Sequence, residues 1–163
     1  MTPEMMIALG KAGGLSAMAF AAIGSALGTG AAGMAAIGAW KKCYAQNKPA
    51  PFQLLVYVGA PLTQIFYGLI LMLTIKNKAV APVEATETVE AVTGALDWPA
   101  MLMAGIIGGI AMGMSAWMQG RAGAAGSDAL AETGEGFVNY IMALGIIETV
   151  ALFVMVLLMA LAF

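Results

Sequence analysis

The sequence predicts an all-α membrane protein: four transmembrane helices arranged as two repeated antiparallel hairpins that assemble into a two-layer multimeric ring. Three observations lead there. Of 163 residues, 61% are apolar and only 10% charged, against roughly 45–50% and 25% in a soluble domain. Four charge-poor runs are each long enough to cross a hydrocarbon core, which takes about 20 helical residues. The second pair of runs also repeats the first.

The first run, Ala12 to Trp40, is free of charge and sets a helix over about 9–40. Met1 to Gly10 holds Glu4 and no cationic stretch, so a cleaved leader is not expected. The next run, Pro49 to Ile75, sets a helix over about 51–75 and closes a hairpin spanning 1–75. A polar connection over 76–97 follows, with Pro82, Glu84, Glu87, Glu90 and Gly94. The second hairpin, 98–163, has helices over about 98–128 and 136–163, and Glu148 is the one charge in the latter. Lys41, Lys42, Lys48 and Arg121 outnumber Lys11, Lys76 and Lys78. That excess places the loops 41–50 and 128–135 in the cytoplasm and the termini outside a plasma membrane.

Gly30-Ala31-Ala32-Gly33 recurs as Gly123-Ala124-Ala125-Gly126, and Leu62-Thr63 matches Glu148-Thr149. A duplicated hairpin explains both, with a carboxylate in one copy and Leu62 in the other. Small residues recur every four positions: Ala17, Ala21, Ser25, Thr29 and Gly33 in the first helix, and Gly105, Gly109 and Gly113 in the third. Such spacing lets backbones approach closely in lipid. We expect these helices to form an inner layer contacting neighbouring copies, with the bulkier second and fourth helices facing lipid outside.

The inventory excludes several chemistries. With no His and one Cys, there is no Ser-His-Asp triad, Cys-His dyad or Cys/His metal site. A net charge of −2 without a basic patch excludes nucleic acid as a partner. No organic cofactor motif is present. What remains is oxygen chemistry.

Glu148 stands near the centre of the fourth helix, where an ionised carboxylate costs about 2.5–3.5 kcal/mol on insertion scales. A permanently protonated Glu acting as interhelical glue is one reading. A use in transport is the other, and its surroundings favour it. Ala60, Thr63, Gln64 and Tyr67 form one stripe of the second helix. Pro61 within it frees backbone carbonyls. Measured from the hairpin turns, Gln119 lies at the depth of Glu148, so Gln64 and Gln119 can meet it in one layer. Amide, hydroxyl and carbonyl oxygens around a single carboxylate suit Na⁺, whereas a divalent ion would draw more carboxylates. A proton is the alternative cargo, for which Thr63, Gln64 and Gln119 would be surplus.

The segments Pro61-Leu62-Thr63-Gln64-Ile65-Phe66-Tyr67-Gly68, Gln119 to Gly126 and Ile147-Glu148-Thr149 resemble the proteolipid (the K, or c, subunit) of bacterial and archaeal V/A-type rotary ATPases, particularly the sodium-translocating ones. Ala60 stands where that family often has a bulkier Leu, and Leu62 where a Gly is common. The resemblance implies Glu148 as the essential ion-carrying carboxylate, with Gln64, Gln119, Thr63 and the Ala60 backbone carbonyl as Na⁺ ligands. It implies Tyr67 as the hydroxyl that holds the carboxylate when the site is closed. It also implies the partners: a homo-oligomeric rotor ring in lipid, a stator membrane subunit bearing an arginine, and a central-stalk subunit at the cytoplasmic loops. Such a chain is not catalytic alone; ion passage couples to ATP hydrolysis or synthesis elsewhere in the complex. A small four-helix cation-coupled carrier and a structural pore proteolipid are the rival classes. Lys41, Lys42, Asp128, Glu132 and Glu135 read as solvated helix-end charge, and Cys43 as an incidental thiol.

Overall fold

The computed structural model describes residues 1–80 and 94–161 and is entirely helical among them. Four helices are long and apolar enough to cross a membrane, and the chain is a multi-pass membrane protein. They are α1 (Pro3–Ala45), α2 (Leu54–Lys78), α3 (Trp98–Thr133) and α4 (Phe137–Leu161).

Each helix differs in extent from its charge-free run. α1 starts before the expected 9 and continues past 40, α2 occupies Leu54–Lys78 where 51–75 was expected, and α3 continues past 128 to Thr133. Absence of charge marks the part fit for lipid, whereas Glu, Lys, Gln and Ala are good helix formers and carry the helices on into water. The Thr2 side chain caps α1 by accepting the Met5 N–H at 3.4 Å, with Pro3 in the first turn. Gly134, at φ 73°, ends α3 by returning its N–H to the Leu130 carbonyl, a left-handed conformation that suits glycine. Of the expected connection over 76–97, residues 81–93, with Pro82, Glu84, Glu87 and Glu90, lie outside the described residues, as do the last two positions of the expected fourth helix. Gly94–Asp97 forms a short 3-10 turn, joined to the first hairpin by the Ala95 N–H on the Val80 carbonyl.

α2 is broken in the middle. Leu54–Gly59 is α-helical, Ala60–Leu62 is a 3-10 turn, and Thr63–Lys78 resumes the α-helix. Pro61 is the cause: it has no N–H to give the Tyr57 carbonyl, and its ring crowds the preceding turn.

α1 and α3 run side by side in the same direction, and their glycines meet. A Cβ on Gly24 would fall on the backbone of Gly113, one on Gly105 on the Gly13 carbonyl, and one on Gly120 on the Gly28 carbonyl. Here the structure differs from the expectation of contacts between copies: Gly105, Gly109 and Gly113 are used within the chain, against α1. The division of small and bulky residues also runs by face rather than by helix. α1 and α3 turn Leu15, Ile23, Leu27, Met103, Ile107 and Ile110 outward, just as α2 and α4 expose Phe66, Ile146 and Phe153. In lipid, apolar side chains gain nothing by meeting each other, so backbones close up where side chains are absent and the rest face outward.

α2 and α4 lie against this pair. One apolar cluster joins Leu71, Ile75, Met101, Met112 and Met155, and another joins Leu54, Tyr57, Leu130 and Leu144. Between them along α2, α3 and α4 fall Gln64, Gln119 and Glu148. The two hairpin turns lie at the same end, where Lys42 Nζ pairs with Glu132 at 3.1 Å.

Candidate functional site

The break in α2 sets up the first half of the site. Thr63 and Gln64 open its second α-helical part, and Tyr67 follows one turn later on the same face. From the other hairpin, α3 brings Gln119 and α4 brings Glu148. The Tyr67 hydroxyl donates to Glu148 Oε1 at 2.7 Å, and Gln119 Nε2 donates to Glu148 Oε2 at 3.2 Å. Gln119 Nε2 also donates to the Leu144 carbonyl at 3.1 Å, and its Oε1 accepts from Gln64 Nε2 at 2.9 Å. Both glutamines are 0% exposed, so water cannot replace a lost partner and each amide is held in place.

The chain of contacts ends in a crowd of oxygens. Thr63 Oγ1 lies 3.0 Å from the Ala60 carbonyl oxygen and 3.1 Å from Gln64 Oε1. A hydroxyl has one proton and can serve one acceptor at a time. The cluster therefore has more lone pairs than protons, a condition a small hard cation relieves.

Glu148, Gln119, Gln64, Thr63, Ala60 and Tyr67 thus lie in one hydrogen-bonded sequence across the two hairpins. Gln119 differs in detail from expectation. It presents its NH₂ to Glu148, not its oxygen, because a carboxylate attracts donors and the neighbouring Leu144 carbonyl does the same. Two participants were not expected. The Leu144 carbonyl fixes the Gln119 amide, and Ser115 Oγ donates to the Ile147 carbonyl at 2.9 Å, pinning α4 beside Glu148. Ser115 sits one turn before Gln119 on the same face of α3, which is the signal that could have found it. Among the described residues no three His, Cys, Asp or Glu side chains gather, and Glu148 is the one carboxylate in this hydrogen-bonded sequence.

Tyr67 supplies half of the donors on this carboxylate. Tyr67→Phe should leave the fold intact and speed carbodiimide labelling of Glu148 about tenfold, matching the loss of one hydrogen bond to a charged group. Labelling kinetics followed by mass spectrometry check this.

Fold and site together define the class: a multi-pass membrane protein that holds one acid between two helical hairpins. Residues 102–161, the part carrying Gln119 and Glu148, match the sequence model of the family of the ATP synthase C subunit. The second hairpin is therefore similar to that family, and the match lies wholly within that hairpin. A comparison with curated proteins found no match to the chain.

Proposed function

We propose that the chain is the proteolipid of a rotary ATPase or ATP synthase rotor, of the V/A type, and that it carries Na⁺ on Glu148. The observation that supports this reading best is that α2 of one hairpin and α3 and α4 of the other converge on one carboxylate, within a span similar to the ATP synthase C subunit. Copies of the chain would form a ring in the plasma membrane, with the two hairpin turns cytoplasmic against a central stalk.

The physics of the cycle follows from charge. With Na⁺ beside it, Glu148 is neutralised and the site can pass through lipid; emptied, it is an uncompensated charge costing about 2.5–3.5 kcal/mol or more. An arginine on a stator subunit would hold the emptied carboxylate while one ion leaves and another enters. Each ion moved along a membrane potential is worth about 2.3 kcal/mol per 100 mV, so several ions per turn can be balanced against a few nucleotides. Na⁺ would take the Thr63 hydroxyl, the Gln64 oxygen, the Ala60 carbonyl and a Glu148 oxygen as ligands. Gln119 joins them if its amide turns over, exchanging its bonds to Leu144 and Gln64 for one to the ion.

Carbodiimide labelling of Glu148 at fixed pH, with and without millimolar Na⁺, tests the reading. Protection by Na⁺ is expected. Gln119→Ala should weaken it by about tenfold or more in Na⁺ concentration, the worth of one hydrogen bond to a charged group. Labelling indifferent to Na⁺ would instead make the chain a proton carrier of the same kind.

A further inference from the structure

Two buried hydroxyls, Ser25 Oγ and Thr29 Oγ1, stand one turn apart on α1 with no hydrogen-bond partner among the described residues. A serine inside a helix can return its proton to the carbonyl four residues back, as Ser16 does to Ala12 at 2.8 Å and Ser127 to Gly123 at 2.9 Å. Ser25 does not. It is 2% exposed, so its idle hydroxyl is destabilising where it stands, and alanine would pack there at lower cost.

Register decides what this hydroxyl faces. α1 and α2 are antiparallel, and their close approaches fix the pairing: a Cβ on Gly68 would lie 2.7 Å from Ala21 Cβ, and one on Gly28 2.9 Å from Pro61 Cβ. Ser25 comes four residues after Ala21 and Gln64 four before Gly68, so each lies one turn along from that contact on the same face. Ser25 therefore stands opposite Gln64. By the same count Thr29 stands opposite Ala60, whose carbonyl already accepts from Thr63. Gln64 has a donor to spare, because Nε2 carries two hydrogens and Gln119 Oε1 is its one partner among the described residues.

That partner is the oxygen an ion would claim. A cation that draws Gln119 Oε1 to itself leaves Gln64 Nε2 buried without an acceptor, and an unmade bond of this kind is costly. We propose that Ser25 is a positioning residue for the loaded site: its Oγ accepts from Gln64 Nε2 once Gln119 has turned over, and so holds Gln64 Oε1 on the ion. The serine proton then goes to the Ala21 carbonyl, the partner four residues back. Because the bond exists with the ion and not without it, Ser25 shifts the equilibrium towards the loaded form by what that bond is worth. The inference rests on the Na⁺ reading of the site.

Carbodiimide labelling of Glu148 in the assembled protein, followed over a range of Na⁺ concentration, tests it. Ser25→Ala should raise the Na⁺ concentration for half-protection about tenfold, matching one buried hydrogen bond, while the labelling rate without Na⁺ stays that of the parent. Half-protection equal to the parent's would overturn the proposal. So would a changed rate without Na⁺, since the serine would then shape the site in both states. A Gln64→Ala chain has no amide to hold, so adding Ser25→Ala to it should shift half-protection by less than about twofold, as expected of two residues that act through one contact. A further tenfold shift there would mean that Ser25 acts by packing, and the proposal would fall. The two readings fail differently: a parent that Na⁺ does not protect ends the Na⁺ site and this role together, whereas a protected parent with an indifferent Ser25→Ala ends this role alone.

Discussion

Glu148→Gln should reduce Na⁺ binding by the assembled protein to background and abolish carbodiimide labelling. Gln matches Glu in shape and can still accept from Tyr67, so the fold should survive. What disappears is the charge that offsets the ion. Glu148→Asp makes the complementary case: the charge stays, but the side chain is one methylene shorter. It cannot reach Tyr67, 2.7 Å from Oε1, and Gln119, 3.2 Å from Oε2, at once. Loss of one hydrogen bond to a charged group is worth about 1.5–3 kcal/mol, so Na⁺ affinity should fall by about tenfold to a hundredfold. Equilibrium dialysis with radioactive sodium measures both variants. Binding by Glu148→Gln equal to that of the parent would place the ion elsewhere.

Gly105→Val should give the largest loss of stability of any single change on α1 or α3. Even a single added carbon at Gly105 would coincide with the Gly13 carbonyl, and backbone, unlike a side chain, cannot rotate away. The helices must part along their whole shared seam, at a cost of about 3 kcal/mol or more. Gly38→Ala is the control, because nothing lies within 4 Å of a Cβ there. That change should be neutral or stabilise slightly, since Ala is the better helix former. Unfolding in mixed detergent micelles, titrated with sodium dodecyl sulfate, separates the two outcomes. Equal midpoints for Gly105→Val and the parent would mean that the helix seam is not where the stability lies.

Much of this molecule was legible before its structure. The helices could be counted because a run without charge is what lipid requires, and Glu148 stood out because lipid makes one carboxylate conspicuous. The Ala60, Thr63, Gln64 and Tyr67 stripe could be read because helical spacing puts i, i+3, i+4 and i+7 on one face. Two things were not legible. Small residues announce close packing without naming the partner, so Gly105, Gly109 and Gly113 could have served a neighbouring copy as well as α1. Amide direction is likewise decided in three dimensions: only once the Leu144 carbonyl stands beside Glu148 does it follow that Gln119 must turn its NH₂ towards both.

Glu148 is gripped from both hairpins at once, by Tyr67 of the first and Gln119 of the second. Neither half of the duplicated sequence is therefore a complete receptor. The hairpin with Leu62 in place of an acid is the clamp for the one that carries Glu148, so a change in either half disturbs contacts that belong to both.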